Sequence, residues 1–157
     1  MKNQTLEIKT ALQIQKPVHE VYEAIINPAK MTNYFISKGS GKMEEGKQII
    51  WQFPEFDQDF PIRVQKIDLD AYISFYWKID DLDLLVEITL TPINNIQTIV
   101  TVTEKSREND DAGLNWLKGN TEGWANFLAC LKAYLEYGIN LRKGAFEYLR
   151  VEANKVL

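Results

Sequence analysis

The sequence predicts an α+β fold in which a long C-terminal helix lies across a curved antiparallel sheet of about six strands. Segments of alternating hydrophobicity follow one another from Met43 to Arg107, and a helical pattern runs from about Leu114 to Tyr137. Consecutive strands joined by short polar turns pair mostly as an antiparallel meander. Such a twisted sheet needs a cover for its apolar face, and only this helix is long enough to provide it.

The N-terminal part of the chain predicts one strand followed by two short helices. In "TLEIKTALQIQ" the apolar residues of one face recur with the period of a strand, at Leu6, Ile8, Leu12 and Ile14. Pro17 ends this strand and suits the first turn of a helix in "PVHEVYEAIINP". Asn27-Pro28 ends that helix, "AKMTNYF" predicts a second one, and "SKGSGK" predicts a loop.

The central strands place large aromatic side chains on the face that turns toward the core. Strands are predicted around Phe60–Val64 and in "KQIIWQF", "YISFYWKI", "LLVEITLTP" and "IQTIVTVTEKS". Alternation puts four rings on inward faces, those of Trp51, Phe53, Phe75 and Trp77. Asn94-Asn95 favours a hairpin, because asparagine tolerates the positive φ that tight turns require.

The long helix presents one apolar stripe and ends at a glycine. Residues spaced i, i+3, i+4, i+7 and i+11 form the stripe, namely Trp124, Phe127, Leu128, Leu131 and Leu135. Gly138 suits the left-handed conformation of a helix end. Gly119 is predicted to precede the helix proper, which would begin near Thr121. Gly123 fits either close packing against the sheet or a flexible entrance.

Length and composition favour a single domain over residues 1–157. The net charge of −4, with no basic stripe, argues against nucleic acid and against an anionic membrane surface as partners. A single cysteine excludes an internal disulfide, and neither a signal peptide nor an apolar run of membrane-spanning length occurs. These features favour a cytoplasmic location.

Residues able to carry chemistry are few. His19 is the only histidine and is expected to face solvent, and Cys130, beside the apolar stripe, is expected to be buried and inert. One histidine and one cysteine make a metal site improbable, and no cofactor or phosphate-binding motif occurs, so no cofactor is predicted. Glu87 is expected to face solvent. Glu104 shares a face with inward residues and could reach the mouth of a cavity, although its place near a strand end favours exposure.

Two stretches resemble the START-like (SRPBCC) superfamily, and more narrowly the single-domain proteins similar to the activator of heat-shock-protein-90 ATPase. They are "KPVHEVYEAIINPAKMTNYF" and "GWANFLACLKAYLEYG". The family often has a tryptophan-phenylalanine pair where this chain has Tyr34-Phe35, and its chains commonly stop near the position of Gly138. The resemblance implies a helix-grip fold, a curved sheet around a helix with a cavity that in many relatives holds an apolar small molecule.

The main hypothesis is therefore a non-enzymatic protein that binds a small hydrophobic molecule between helix and sheet. The predicted cavity-lining residues are Trp51, Phe53, Phe75, Trp77, Glu104, Trp116, Trp124, Phe127, Leu128 and Leu131. The alternative implied by the resemblance is a chaperone-associated interaction protein. An enzyme is disfavoured because no paired acid and base is evident. Residues 139–157 form an appended amphipathic helical segment, expected to cover either the cavity entrance or a second copy of the protein.

Overall fold

A computed structural model describes residues 4–150. Ten elements follow one another along the chain: β1 (Thr5–Ile14), α1 (Val18–Ile26), α2 (Pro28–Met31), β2 (Lys38–Gly39), β3 (Gln48–Gln52), β4 (Phe60–Asp68), β5 (Tyr72–Ile79), β6 (Leu82–Asn94), β7 (Gln97–Glu108) and α3 (Asp111–Tyr137). The predicted order of one strand, two short helices, a series of strands and one long helix is confirmed.

All seven strands form one antiparallel sheet in the order β1-β7-β6-β5-β4-β3-β2. Strands β2 to β7 are a meander, and β1 closes the arrangement by pairing with β7 from Thr5↔Glu108 to Ile14↔Thr98. Strand β2 was missed, because its two residues lie in the polar "SKGSGK" stretch and pair with Trp51 and Gln52 of β3. The α+β helix-grip class predicted from the sequence is confirmed.

Helix α3 covers the concave face of the sheet. Its buried residues are Gly113, Trp116, Trp124, Phe127, Leu128, Cys130 and Leu131. Opposite them the sheet contributes a row of fully buried side chains, among them Trp51, Ile62, Phe75 and Ile88. Tyr34, from the turn after α2, joins this core and donates a 2.8 Å hydrogen bond from its hydroxyl to the carbonyl of Ala24. Burial raises the pKa of the Tyr34 hydroxyl well above its ordinary value.

Helix α3 begins earlier than the sequence suggested. Asp110 is its N-cap, and the carboxylate accepts a 2.7 Å hydrogen bond from the backbone N–H of Gly113. Gly119 is therefore inside the helix, and the prediction that it precedes the helix is wrong. The polar run before Leu114 supplies this cap. At the other end Gly138 has φ 66° and ψ 25°, which confirms the predicted glycine stop.

Alanine substitutions at the glycines of α3 are expected to have opposite effects. A Cβ on Gly113 would lie 2.0 Å from the backbone oxygen of Glu108, so Gly113→Ala must displace the start of the helix. We expect it to lower the free energy of unfolding by about 1–3 kcal/mol. Gly119→Ala and Gly123→Ala meet nothing within 4 Å, and each should raise it by about 1 kcal/mol. Thermal denaturation of the three variants measures these changes in the free energy of unfolding. A change of the same sign in Gly113→Ala as in Gly119→Ala and Gly123→Ala would contradict this explanation.

The segment after Gly138 continues as turns from Leu141 to Glu147, and helical backbone begins at Tyr148. The predicted helix over the appended segment is therefore wrong for residues 139–147. Glycine at position 144, with φ 74°, contributes to these turns. A helix here would place Phe146, Leu149, Ala153 and Val156 on one face; Phe146 and Leu149 are half-buried, and Ala153 and Val156 lie outside the described residues. Within residues 4–150, no helix has both the length and the apolar composition needed to cross a membrane.

Candidate ligand-binding cavity

A cavity of about 360 Å³ lies between α3, the sheet and the segment that follows α3. The sheet and the loop after β3 form one wall, the N-terminal half of α3 forms a second, and residues 142–149 form a third. Nine of its lining residues are aromatic: Phe35, Phe53, Phe56, Phe60, Trp77, Trp124, Phe127, Phe146 and Tyr148. The other lining residues are Glu55, Ile79, Gly119, Asn120, Glu122, Gly123, Asn126, Arg142 and Leu149.

The aromatic rings around the cavity support one another in fixed orientations. Phe35 packs edge-on against Phe53, with 5.1 Å between ring centroids, and against Phe127 at 4.8 Å. Trp77 lies 5.5 Å from Trp124 across the interval between sheet and helix. Edge-to-face and tilted contacts of this kind add to the stability gained from burial. These ring contacts therefore fix the shape of the cavity wall independently of a ligand.

Gly119 and Gly123 lie at the edge of the cavity, one turn apart on α3. Both are exposed, and a Cβ added at either position would meet nothing within 4 Å. Close packing against the sheet, one of the two explanations open for Gly123, is therefore wrong. Because larger residues here would project over the gap between α3 and the other walls, the glycines keep the cavity open at this edge.

Glu104 on β7 is fully buried and lies directly behind the helix wall. Its carboxylate accepts hydrogen bonds from the indole N–H groups of Trp116, at 2.6 Å, and Trp124, at 2.7 Å. The side-chain amide of Asn120 donates to both carboxylate oxygens, at 2.9 and 3.3 Å. The expectation that Glu104 is exposed near the strand end is wrong, because three donors from one face of α3 satisfy it inside the core.

Arg142 and Glu55 form a buried ion pair beside the cavity. The guanidinium Nη2 donates to Oε1 of Glu55, and Nη1 lies 3.2 Å from Oε2. The side chains are only 13% and 6% exposed, respectively. The guanidinium carbon also stands 4.9 Å from the Phe146 ring centroid and 5.4 Å from that of Phe53. This pair fastens the segment after α3 to the loop after β3.

A second attachment lies farther along the same segment. Arg150 donates a 2.8 Å hydrogen bond from Nε to the carbonyl of Pro54 and contacts Asp57 at 2.9 Å. The Arg150 side chain is 45% exposed and that of Asp57 is 93% exposed, so this contact contributes less than the buried pair. Together the two arginines hold residues 142–150 against the cavity.

One buried polar atom of the lining has no hydrogen-bond partner within the described residues. The indole Nε1 of Trp77 is buried and makes no hydrogen bond to any group within residues 4–150. The two indoles of α3, those of Trp116 and Trp124, donate to Glu104. A buried N–H without an acceptor costs free energy comparable to a lost hydrogen bond.

The structure separates the ten predicted lining residues into two groups. Phe53, Trp77, Trp124 and Phe127 line the cavity. Trp51, Phe75, Glu104, Trp116, Leu128 and Leu131 are instead buried in the core around it. The polar lining residues Glu55, Asn120, Glu122, Asn126 and Arg142 were not predicted from the sequence. For Asn120 a signal was present, since it stands between Trp116 and Trp124 at four-residue intervals on the helix.

The other side chains considered as candidate functional groups, those of Cys130, His19 and Glu87, do not line the cavity. Cys130 is buried as expected, and burial raises the pKa of its thiol, while the nearby charge of Arg142 opposes that rise. His19 lies on the surface, with Nδ1 2.7 Å from Oδ1 of Asp70. On the outer face of the sheet Glu87 accepts a 2.6 Å hydrogen bond from the Tyr72 hydroxyl, which lowers the pKa of the glutamate. No cluster of three or more metal-ligating side chains occurs in residues 4–150.

A sheet curved around one long helix, with a cavity between the two, defines a START-like domain. The family model described as "Activator of Hsp90 ATPase homolog 1-like protein" matches residues 15–136. The chain belongs to this family, and the predicted resemblance is confirmed. The matched region ends before Gly138, so the segment with Arg142 and Arg150 lies outside it. No curated protein matches the sequence significantly.

Solved structures of similar proteins share the fold. The protein SSP2350 from Staphylococcus saprophyticus is 31% identical, with a TM-score of 0.77 over 87% of this chain and 96% of that one. The Aha1 dimer from Colwellia psychrerythraea is 20% identical, with a TM-score of 0.73 over 85% and 98%. The di-domain ARO/CYC BexL from the BE-7585A biosynthetic pathway is 18% identical, with a TM-score of 0.67 over 83% of this chain and 46% of that one.

Proposed function

We propose that this protein is a non-enzymatic binding protein that takes up a small, largely apolar molecule between α3 and the sheet. The observation that carries the proposal is the aromatic-lined cavity of about 360 Å³. Its volume falls within the range of about 300–1,000 Å³ typical of small-molecule sites, and few polar groups interrupt the apolar lining. Binding would bury apolar surface of the ligand at roughly 25 cal/mol per Å² before the costs of association.

The segment after α3 would serve as the cover of this site. Arg142, Phe146 and Leu149 line the cavity, and the attachments to Glu55 and Pro54 hold them there. Of the two roles predicted for residues 139–157, this contact favours the cavity entrance over a dimer contact. The test is the mass in solution after truncation behind Gly138, because only the dimer hypothesis expects the truncated chain to dissociate.

Narrowing the cavity mouth is expected to weaken binding. N-Phenyl-1-naphthylamine, a neutral apolar dye, should bind the unchanged protein saturably with enhanced fluorescence. Gly123→Leu should weaken its affinity by roughly tenfold or more, the factor that about 1.4 kcal/mol of overpacking produces. Ala125→Leu is the matched control, because it adds a similar volume on an exposed position of the same helix.

Both variants should fold, since leucine has a higher helix propensity than glycine and nearly that of alanine. Equal dye affinities for the two variants would place any binding outside the cavity and contradict the proposal. Failure of the unchanged protein to bind this dye or other neutral apolar compounds would contradict it directly.

A cytoplasmic location remains a prediction.

The second candidate function is a chaperone-associated interaction protein, favoured by membership of a family described by its likeness to an activator of the Hsp90 ATPase. Such binding would use the outer surface of the molecule. Capture of Hsp90 by the unchanged protein, undiminished by Gly123→Leu, would support this function and separate it from ligand binding.

A further inference from the structure

We infer that the ligand of this cavity is an amphiphilic amine, with its apolar body among the aromatic rings and its ammonium group at the mouth beside Glu122. This inference rests on the proposed function and names the class of ligand. Three features carry it: the arrangement of the lining residues along α3, the balance of charge in the lining, and the capacity of the rings to hold a cation.

Helix α3 turns apolar side chains toward the interior of the cavity and an acidic one toward its mouth. With about 100° between successive residues, Gly119 and Gly123 run along the middle of the lining face. Trp124 and Phe127 lie on one side of this line and are buried, whereas Glu122 lies on the other side and is exposed. A ligand with an apolar body and one polar end fits this division.

The charges of the lining favour a cation over an anion at that end. Two acidic residues, Glu55 and Glu122, and one cation, Arg142, line the cavity. Because Arg142 is bound to Glu55, Glu122 carries the one lining charge that no ion pair within residues 4–150 neutralises. Lys118, one turn earlier on α3, is exposed and does not line the cavity.

A second negative charge lies behind the inner wall. Glu104 accepts N–H groups at both carboxylate oxygens, the role of an ionised carboxylate, and its donors in the described residues are all neutral. An anionic ligand would meet this charge and that of Glu122 after losing part of its hydration. An ammonium group would be stabilised by both, and at the mouth it would keep part of its hydration.

The aromatic rings of the cavity already hold one cation. The guanidinium carbon of Arg142 stands 4.9 to 5.7 Å from three ring centroids, those of Phe146, Phe53 and Phe35. Ammonium groups are attracted to ring faces in the same way, and tryptophan attracts them most strongly. Two tryptophans, Trp77 and Trp124, also line the cavity and are not among these three rings. An amine that enters past Glu122 therefore meets further rings able to stabilise its charge.

Three probes with the same ring system test the inference: 1-naphthylmethylamine, 1-naphthylmethanol and 1-naphthoate. At pH 7 the amine is a cation, as the lysine side chain is, while the alcohol is neutral and the naphthoate is an anion. We expect the amine to bind roughly 3- to 30-fold more tightly than the alcohol, the ratio that a cation–π contact and an exposed charge pair give together. The naphthoate should bind more weakly than the alcohol. Affinities come from titration calorimetry at low salt.

Glu122→Gln removes the charge at the mouth and keeps the size of the side chain. It should lower the ratio of amine to alcohol affinity by roughly 2- to 5-fold and leave the alcohol affinity nearly unchanged. Glu20→Gln is the matched control, because it removes an exposed carboxylate of α1 that does not line the cavity, and the ratio should persist. Gly123→Leu should weaken the amine and the alcohol alike, since both would occupy the same cavity.

The outcomes separate this inference from the proposed function. If the alcohol binds and the amine binds no more tightly, the proposed function stands and the inference is overturned. Tightest binding of the naphthoate, or equal ratios in Glu122→Gln and Glu20→Gln, would overturn it as well. An amine affinity that Gly123→Leu leaves unchanged would place the amine on the surface and overturn it too. If none of the three probes binds, the proposed function fails for ligands of this size and the inference falls with it.

Discussion

Replacement of Glu104 by glutamine should strongly destabilise this protein. The carboxylate accepts every N–H offered by Trp116, Asn120 and Trp124. Glutamine presents an NH₂ group in place of one oxygen, so a donor would face donors in a site with no access to water. We expect Glu104→Gln to lower the free energy of unfolding by about 3–5 kcal/mol. The melting temperature should fall by roughly 6–20 °C, measured by thermal denaturation.

Glu87→Gln is the matched control, since Glu87 is paired with Tyr72 and Lys105 but lies on the outer face of the sheet. Its replacement should cost less than about 1 kcal/mol. A double substitution, Glu104→Leu with Trp116→Phe, should cost less than the sum of the two changes, because it removes a donor together with its acceptor. If Glu104→Gln melted within 2 °C of the unchanged protein, the buried carboxylate would not organise this part of the core.

Replacement of Arg142 by leucine should release the cover of the cavity. Glu55 would be left as a buried carboxylate without its cation, and breaking a buried pair in this way costs about 3–5 kcal/mol. The segment can escape this cost by detaching, which exposes Glu55 to water. We therefore expect the main effect on local opening, with hydrogen exchange in residues 139–150 accelerated by roughly 10²- to 10³-fold. The melting temperature should change less than it does in Glu104→Gln.

Two further variants separate the buried pair from general loss of contacts. Arg150→Leu removes an arginine of the same segment whose partner Asp57 is 93% exposed, and it should change local exchange only slightly. The double variant Glu55→Leu and Arg142→Leu replaces the pair by apolar side chains and should restore much of the protection. Equal exchange in Arg142→Leu and Arg150→Leu would show that the ion pair does not hold the cover.

Periodicity was sufficient to predict the architecture. The alternation of "YISFYWKI" specifies the buried face of the sheet, and the stripe from Trp124 to Leu135 specifies the buried face of the helix. In a meander followed by one long helix, both faces are buried only when the helix lies across the sheet. The end of α3 was also predicted from a local signal. Gly138 adopts the left-handed conformation that often ends a helix, and glycine is the residue that adopts it most readily. Strand β2 escaped prediction, since two residues are too few to display a period.

The candidate site was predicted less completely, because its decisive contacts join distant parts of the chain. Glu104 and its three donors are 12 to 20 residues apart, and Glu55 and Arg142 are separated by 87. Hydrophobic pattern identifies which side chains turn inward, but not which of them border a void. Trp124 and Leu131 belong to the same stripe, yet only Trp124, nearer the start of the helix, reaches the cavity.

The pairing of β1 with β7 has a consequence for the order in which the molecule can assemble. Thr5 finds its partner at Glu108, and Ile14 finds its partner at Thr98, so the first strand has no neighbour until nearly the whole sheet exists. At translation speeds of roughly 5–20 residues per second, the nascent strand would wait about 5–20 s for that neighbour on the ribosome. During this interval its unpaired edge is open to association with other chains, and closure of so long a loop makes folding slow.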